Sequence, residues 1–107
     1  MSVLFSNNAR SLLATSIKAT DTSIRVRAGH GSRYPQPSAT GDWFPLTIED
    51  ENGNIEILKA TGRQGDLITV QRGVEGTQPR AFTTDDVVEL RVTAAALYEL
   101  KGNGQLG

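Results

Sequence analysis

WFPLTIEDENGNIEILKA, residues 43–60, places two alternating apolar runs on either side of a polar turn. Alternation with a period of two is typical of a strand that buries one face. The turn Glu51-Asn52-Gly53-Asn54 contains an Asn-Gly pair, which supplies the positive φ angles of a tight hairpin. The stretch therefore predicts a β-hairpin. The side chains expected to face inward are Leu46, Ile48, Ile55 and Ile57.

Further strands are predicted on both sides of this hairpin. Downstream, the turn Gln64-Gly65-Asp66 leads into an alternating run over residues 67–71, which predicts a second hairpin. Upstream, TSIRVRA at residues 22–28 alternates apolar side chains with arginines, and DVVELRV at residues 86–92 has the same period. We therefore expect about five strands in a mostly antiparallel meander.

A short helix is predicted after the last of these strands. Thr93 is a suitable N-cap, Leu97 and Leu100 lie three residues apart on one face, and Gly102 suits the helix end. In residues 1–20, Leu12, Leu13 and Ile17 could share one face of a helix, but the Ser, Thr and Asn content argues against a strong helix. We predict an extended arm packed on the body or on a neighbour. Residues 21–101 are then the β domain, and residues 102–107 are a flexible tail. The predicted fold class is all-β: a small antiparallel barrel or sandwich with a short C-terminal helix and an N-terminal extended arm.

Composition narrows the classes of function. The chain has 107 residues, which suits one domain, and a formal net charge of -1, which gives no field to attract nucleic acid or an anionic membrane. It has no cysteine, which excludes disulfides, thiolate metal sites and cysteine nucleophiles. The N-terminus lacks the basic start and apolar core of a signal peptide, so we expect synthesis in a cytosol without export.

The residues that carry chemistry form no recognisable catalytic or metal-binding pattern. His30 is the single histidine and lies between two glycines, so we expect an exposed loop position for it. The acidic groups at residues 50–56 and 85–89 lack the spacing of a calcium loop. RGVEGT lacks the downstream lysine of a phosphate-binding loop. These residues therefore single out no catalytic group, no cofactor site and no metal site, and carboxylate chemistry is the one enzymatic alternative that they leave.

The long polar loop of residues 29–42 is a candidate for protein contacts. A loop of this length in a compact domain is usually functional or packed against a partner. Arginine and aromatic side chains are enriched in protein interfaces. The predicted interface residues are Arg33, Tyr34, Trp43 and Arg72. For Trp43, packing in the core beneath the loop is an equal alternative, and stacking of carbohydrate on Trp43 and Tyr34 is another.

TVQRGVEGTQPRAF, residues 69–82, is interpreted as a structured crossover between two strands. Its glycines allow tight backbone bends. Polar side chains in such a loop can bond to the loop's own N–H groups. The predicted structural residues are Gly73, Glu75, Gly76, Thr77 and Phe82, with Phe82 expected to enter the core.

Several stretches together resemble a domain that recurs in structural proteins of tailed bacteriophages, often at the N-terminus of tail fibre or tail-associated proteins. The resemblance is carried by LFSNNARSLLATSI, TSIRVRAGHGSRYP and IEILKATGRQGDLITVQRGVEGTQPRAFTTDDVVELRVTAAAL, and it runs from about residue 4 to residue 100. The matching positions are residues 70–73, 75–77, 81–82 and 88–91. RGVEGT, from Arg72 to Thr77, is the most specific part, and the rest is general β patterning.

The resemblance implies a non-enzymatic structural component of a tailed-phage virion that acts as a tail or fibre-attachment protein or an adaptor. Capsid decoration, as a cement or head-spike protein, is the alternative, because this sequence reaches Gly107 without a fibre portion. The expected partners are other virion structural proteins and further copies of the chain, with no nucleic acid and no membrane. The expected location is the virion, after synthesis in the bacterial host cytoplasm.

Overall fold

The computed structural model describes residues 2–102, which form mainly one antiparallel sheet. Its strands are β1 (Arg10–Leu12), β2 (Ser23–Arg25), β3 (Phe44–Glu49), β4 (Ile55–Gln64), β5 (Leu67–Gln71) and β6 (Val87–Glu89). A 3-10 turn spans His30–Arg33, and the helix α1 (Ala94–Gly102) follows the last strand. The order across the sheet is β1-β6-β3-β4-β5-β2. The predicted all-β class with a short C-terminal helix is confirmed.

The sheet is curled, so that β1 and β2, at opposite ends of the strand order, approach each other. Leu13 and Val26 form an antiparallel bridge directly beyond these two strands. Backbone hydrogen bonds of 2.8 and 3.1 Å join the segments on either side of the bridge. One sheet therefore bends back on itself, which is the barrel-like form of the predicted architecture.

The inner side of the curled sheet holds the hydrophobic core. Tyr34, from the loop after the 3-10 turn, stacks on Phe44 with ring centroids 6.2 Å apart. Phe82 enters the same core from the segment after β5, as predicted. The fully buried apolar side chains include Leu13, Ile24, Val26, Phe44, Leu46, Ile48, Leu58, Ile68, Phe82 and Val88.

The first hairpin forms where the sequence predicts it, but β4 presents its other face to the core. Ile48 pairs with Glu56, and Leu46 pairs with Leu58. Glu56 is therefore buried, while Ile55 is 42% exposed, so the predicted inward positions of Ile55 and Ile57 are wrong. Two features determine which face of β4 points into the core: the five-residue loop between the strands and the ion-pair partner of the buried Glu56 carboxylate. The local apolar pattern reveals neither of them.

The turns differ from their predictions in one detail. In the loop of the first hairpin only Gly53 of the Asn-Gly pair has a positive φ, at 83°, and the Asp50 carboxylate accepts the N–H groups of Asn52 and Asn54. The second hairpin turns through Gly65 and Asp66, as predicted, with Gly65 at φ 62°. A β-bulge between Ala60 and Gly62 shifts the register of β4 against β5.

Residues 2–20, predicted as an arm, pack along the body and contribute the short strand β1, so six strands replace the expected five or so. Val3, Ala9, Leu13 and Ile17 are buried. Ile17 also forms an antiparallel bridge with Phe82. Three residues give too little alternation for a strand to be recognised in the sequence, which is why β1 was not expected.

The C-terminal part follows the prediction with a shorter last strand. Strand β6 ends at Glu89, and Val92, at the end of the alternating run of residues 86–92, is exposed. The Thr93 hydroxyl accepts the Ala96 N–H at 3.3 Å, so Thr93 caps α1 as predicted. Of the predicted tail, residues 103–107 lie outside the described residues.

Candidate interaction surface

Arg72 and Glu56 form a buried ion pair at the start of the crossover. Nε and Nη2 of Arg72 donate to the two carboxylate oxygens of Glu56, each at 2.8 Å. The side chains are 6% and 0% exposed. Two parallel bonds of this kind are the strongest geometry available to an arginine and a carboxylate.

The other N–H groups of Arg72 bond to the backbone of distant segments. Nη1 donates to the carbonyls of Lys18 at 2.7 Å and Asp21 at 2.8 Å, and Nη2 donates to the Arg80 carbonyl at 2.6 Å. A guanidinium has five N–H donors, and all of them are used within the chain. Arg72, predicted as an interface residue, therefore has no donor left for a partner and is part of the architecture.

Glu56 is bonded just as fully. Its carboxylate accepts the N–H groups of Gly73 and Arg80, each at 2.8 Å, in addition to the two bonds from Arg72. This role was not predicted, because a glutamate in an alternating strand normally faces solvent. The pair joins β4 to both ends of the crossover and to the segment before β2.

The crossover residues make structural contacts, but neither Thr77 nor Glu75 bonds to the loop's own N–H groups as predicted. Gly73 has φ 56°, and a Cβ there would lie 2.5 Å from Cδ of Pro79. Gly76 has φ 84°. The Thr77 hydroxyl donates to the Val74 carbonyl at 2.8 Å and accepts the N–H of Ile57 in β4 at 3.0 Å.

Glu75 connects the crossover to the helix. It has φ 55°, and its carboxylate accepts the Ala95 N–H at 3.0 Å, in the first turn of α1. The sequence predicted a bond to the loop's own N–H groups instead. A carboxylate at this position also suits the positive end of the helix dipole. The crossover therefore fixes where α1 begins.

Trp43 lies in an intramolecular cluster against α1. It is 5% exposed, and its indole N–H donates to the Glu99 carboxylate at 2.9 Å. Lys59 Nζ lies 5.1 Å from the ring centroid, within the range of a cation–π interaction. Its apolar neighbours in this cluster are Val3, Ala96 and Leu100. These contacts correspond to the packing alternative for Trp43.

Tyr34 and Arg33 are neighbours with opposite environments. Tyr34 is buried, and its hydroxyl donates to the Val88 carbonyl at 2.6 Å. Burial raises the pKa of the Tyr34 hydroxyl well above its usual range. Arg33 is exposed and donates to the Arg10 carbonyl at 3.0 Å. Of the four predicted interface residues, Arg33 alone is exposed.

His30 is part of a hydrogen-bonded chain rather than a lone loop side chain. Nε2 accepts from Arg33 Nη2 at 3.2 Å, so Nδ1 carries the proton and donates to Ser11 Oγ at 2.7 Å. A base that activates a serine must accept the hydroxyl proton, which this tautomer does not do. Within residues 2–102, no three His, Asp or Glu side chains converge as metal ligands.

Apart from Glu56, which is buried with Arg72, most acidic side chains in and near the two groups noted in the sequence bond in turns and in surface ion pairs. Hydrogen bonds from Asn54 lower the pKa of Asp50 below its usual value. Bonds from the Gly31 and Gly29 N–H groups lower the pKa of Asp66 in the same way. Arg91 donates to Glu49 at 2.7 Å, and this bond is the main reason that the pKa of Arg91 is raised.

The most exposed apolar surface lies on α1. Leu97 is 45% exposed and Tyr98 is 78% exposed. Tyr98 lines a mostly apolar groove of about 460 Å³ between α1, β4 and the crossover. We call Tyr98 and this groove the α1 face. The groove is lined by Trp43, Lys59, Val74, Glu75, Ala95, Tyr98 and Glu99.

The α1 face was not predicted, because the sequence pattern indicated the wrong side of the helix as the buried one. Leu97 and Leu100 were expected to share one face, but Ala96 and Leu100, four residues apart, pack on the body. The run AAALY was the available signal. Apolar side chains all around a helix indicate that more than one side is covered.

Among the described residues, no helix has the length and hydrophobicity needed to cross a bilayer. Comparison with protein-family models and with curated proteins found no match to this sequence. The resemblance to phage virion domains therefore has its basis in the residues of this chain alone.

Proposed function

We propose that the chain is a non-enzymatic structural component of a tailed-phage virion that acts as a tail or fibre-attachment protein or an adaptor. The basis is the resemblance carried by RGVEGT and the flanking strands. The observation that supports it most is the bonding of Arg72, whose five N–H groups all bind within the chain. The most specific residues of the resemblance therefore specify a scaffold, as expected for a structural module.

The proposed mechanism is binding by surface elements held on this scaffold. The sheet and the Glu56–Arg72 pair provide rigidity, because they tie segments from residue 18 to residue 80 together. The exposed part of the loop at residues 36–41, with Arg33 before it, and the α1 face remain available for contacts. Other virion proteins are the proposed partners.

The composition of purified particles tests this proposal. Particles of the phage whose genome encodes the chain would be purified by density gradient and treated with high salt. Quantitative mass spectrometry would then measure this chain relative to the tail and capsid proteins. We expect it to be retained in fixed stoichiometry with the tail proteins. Its absence from particles, when it is abundant in the infected cell, would overturn the proposal.

Gold-labelled antibody against the chain separates attachment from capsid decoration. Label at the tail or at the tail vertex, in few copies per particle, is the expected result. Label distributed over the capsid shell, with a stoichiometry close to that of the capsid protein, would replace the attachment role by a decoration role. Either result is obtained on the same purified particles.

A further inference from the structure

Trp43 bonds to segments from both ends of the described chain. Its backbone N–H donates to the Ser2 carbonyl at 3.0 Å, and its indole N–H donates to the Glu99 carboxylate of α1 at 2.9 Å. Val3 pairs with Trp43 in a parallel β-bridge. Two segments that lie far apart in the sequence are therefore held by the same residue.

The apolar contacts at this point form a cluster separate from the core of the curled sheet. Val3, Trp43 and Ala96 are buried in it, and Leu100 is partly buried against it. We call these four residues the end cluster. Among the described residues, the core inside the sheet is much larger and contains none of the four. A local region opens at a lower free energy when it buries little apolar surface, so the end cluster should open more easily than the sheet.

The connections on both sides of the end cluster allow it to open without disturbing the sheet. On the C-terminal side, Val92 lies between β6 and α1 and is 66% exposed. On the N-terminal side, Leu4 packs against the core of the sheet, so only Ser2 and Val3 need to move. Opening of the end cluster therefore leaves the strand pairs of the sheet intact.

We propose that residues 2–3 and α1 form one cooperative unit that opens and closes over Trp43 while the sheet stays folded. The two ends are coupled because they share one cluster: when α1 leaves, Val3 loses Ala96 and Leu100 as apolar neighbours. Coupling of this kind is reciprocal. A partner that binds either end in its open form therefore releases the other end and exposes the indole of Trp43. This inference does not depend on the virion role.

Native-state amide hydrogen exchange of the full chain, followed by NMR at urea concentrations below the unfolding transition, tests the proposal. The Trp43 N–H, which bonds to Ser2, reports on the N-terminal end, and the Leu97 N–H, which bonds to the Thr93 carbonyl at 2.9 Å, reports on α1. These two amides should have the same opening free energy, and it should be lower than that of the amides between β3 and β4. Two different opening free energies would overturn the proposal, and so would exchange of both amides only through global unfolding.

Substitutions at each end test the coupling directly. Val3→Ala removes buried methyl groups from the end cluster and should speed exchange of the Leu97 N–H, at the other end of the chain, by roughly tenfold. Val70→Ala is the matched control, because it removes the same groups from the core of the sheet and should leave the exchange of the Trp43 and Leu97 amides unchanged.

The reciprocal test starts from the helix. Glu99→Ala removes the acceptor of the indole N–H and should speed exchange of the backbone N–H of Trp43, whereas Glu99→Gln keeps an acceptor and should resemble the wild type. If Val3→Ala left the exchange of Leu97 unchanged, the two ends would open independently and the proposal would be wrong. None of these outcomes bears on the virion role.

Discussion

At the scale of single residues, Glu56 and Arg72 determine the arrangement of several segments. Each side chain satisfies backbone groups as well as its charged partner, so neither has an unpaired polar atom. Removing one partner of such a pair leaves an uncompensated charge in the interior. The pair therefore matters more for stability than its surface counterpart, Arg27 with Asp85.

We predict that Glu56→Ala lowers the free energy of unfolding by roughly 3–5 kcal/mol, because Arg72 and two N–H groups lose their acceptor. Urea denaturation followed by circular dichroism measures the change. Arg27→Ala is the matched control. It removes an ion pair whose side chains are 49% and 62% exposed, and it should cost less than about 1 kcal/mol. Equal effects of the two substitutions would contradict the architectural role of Glu56.

The same pair shows why the inward face of β4 could not be predicted from its sequence. Apolar periodicity favoured Ile55 and Ile57, because a charge is normally excluded from the core. The preference is reversed here by Arg72, which directly follows β5 and compensates the buried charge of Glu56. Local patterning contains no information about a partner sixteen residues away, so the strand was predictable and its orientation was not.

At the scale of elements, the turns were the most predictable features because glycine has specific conformational uses. Gly53, Gly65 and Gly73 all have positive φ angles in turns that the sequence indicated. What the sequence did not indicate was how crowded each position is. A Cβ at Gly53 would have nothing within 4 Å, whereas one at Gly73 would meet the Pro79 ring.

We predict that Gly73→Ala destabilises the protein more than Gly53→Ala does. Both substitutions force a left-handed conformation on a residue with a side chain, at a cost of about 1–2 kcal/mol. Gly73→Ala adds a contact of 2.5 Å with Pro79, which overpacks the crossover by a further 1–3 kcal/mol or so. Thermal unfolding of the two variants measures the difference. Equal melting temperatures would mean that the crossover yields easily to the added methyl group.

Helix α1 is held by few contacts, so loss of its N-cap should measurably lower the local stability of the helix. Thr93→Ala removes the acceptor of the Ala96 N–H and is expected to cost about 1 kcal/mol of helix stability. Amide hydrogen exchange in the first turn should become faster, with little change in the core strands. Thr93→Ser keeps the hydroxyl and should restore the wild-type rate. Unchanged exchange in Thr93→Ala would assign the cap to Glu75 instead.

At the scale of the whole molecule, acid should destabilise the fold in part through two turn carboxylates. The folded-state pKa values of Asp50 and Asp66 are lowered by hydrogen bonds that the unfolded chain lacks. Their stabilising contribution is therefore complete above the unfolded carboxyl pKa of about 4 and is lost as the pH falls through the lower folded values.

We predict that Asp66→Asn is less stable than the wild type at neutral pH and less sensitive to acid. Urea midpoints measured from neutral pH down to strongly acidic conditions show how steeply the stability of each protein, wild type and Asp66→Asn, falls with pH. Glu51→Gln removes a carboxylate that makes no hydrogen bond among the described residues, and it should keep the wild-type slope. If the stability of Asp66→Asn fell with pH as steeply as that of the wild type, the bonds from Gly29 and Gly31 to Asp66 would make no contribution to the pH dependence of stability.

Closure of the sheet was the least predictable feature of the molecule. The alternating segments predicted the strands of both hairpins. The bridge between Leu13 and Val26 could not be predicted, because nothing in the two local sequences indicates that these segments pair. The α1 face was missed for a related reason, since burial of Ala96 depends on Trp43 and on Val3, which are distant in the sequence. Periodicity reports which residues are apolar, and long-range packing decides which of them are covered.

The pairing of β1 with β6 also affects how the chain is made on the ribosome. Arg10 pairs with Glu89, so the first strand of the sheet leaves the exit tunnel long before its neighbour is translated. At about 5–20 residues per second, several seconds pass in between. During that time the nascent N-terminal segment has no strand partner on that side, and the final closure must follow the synthesis of nearly the whole domain.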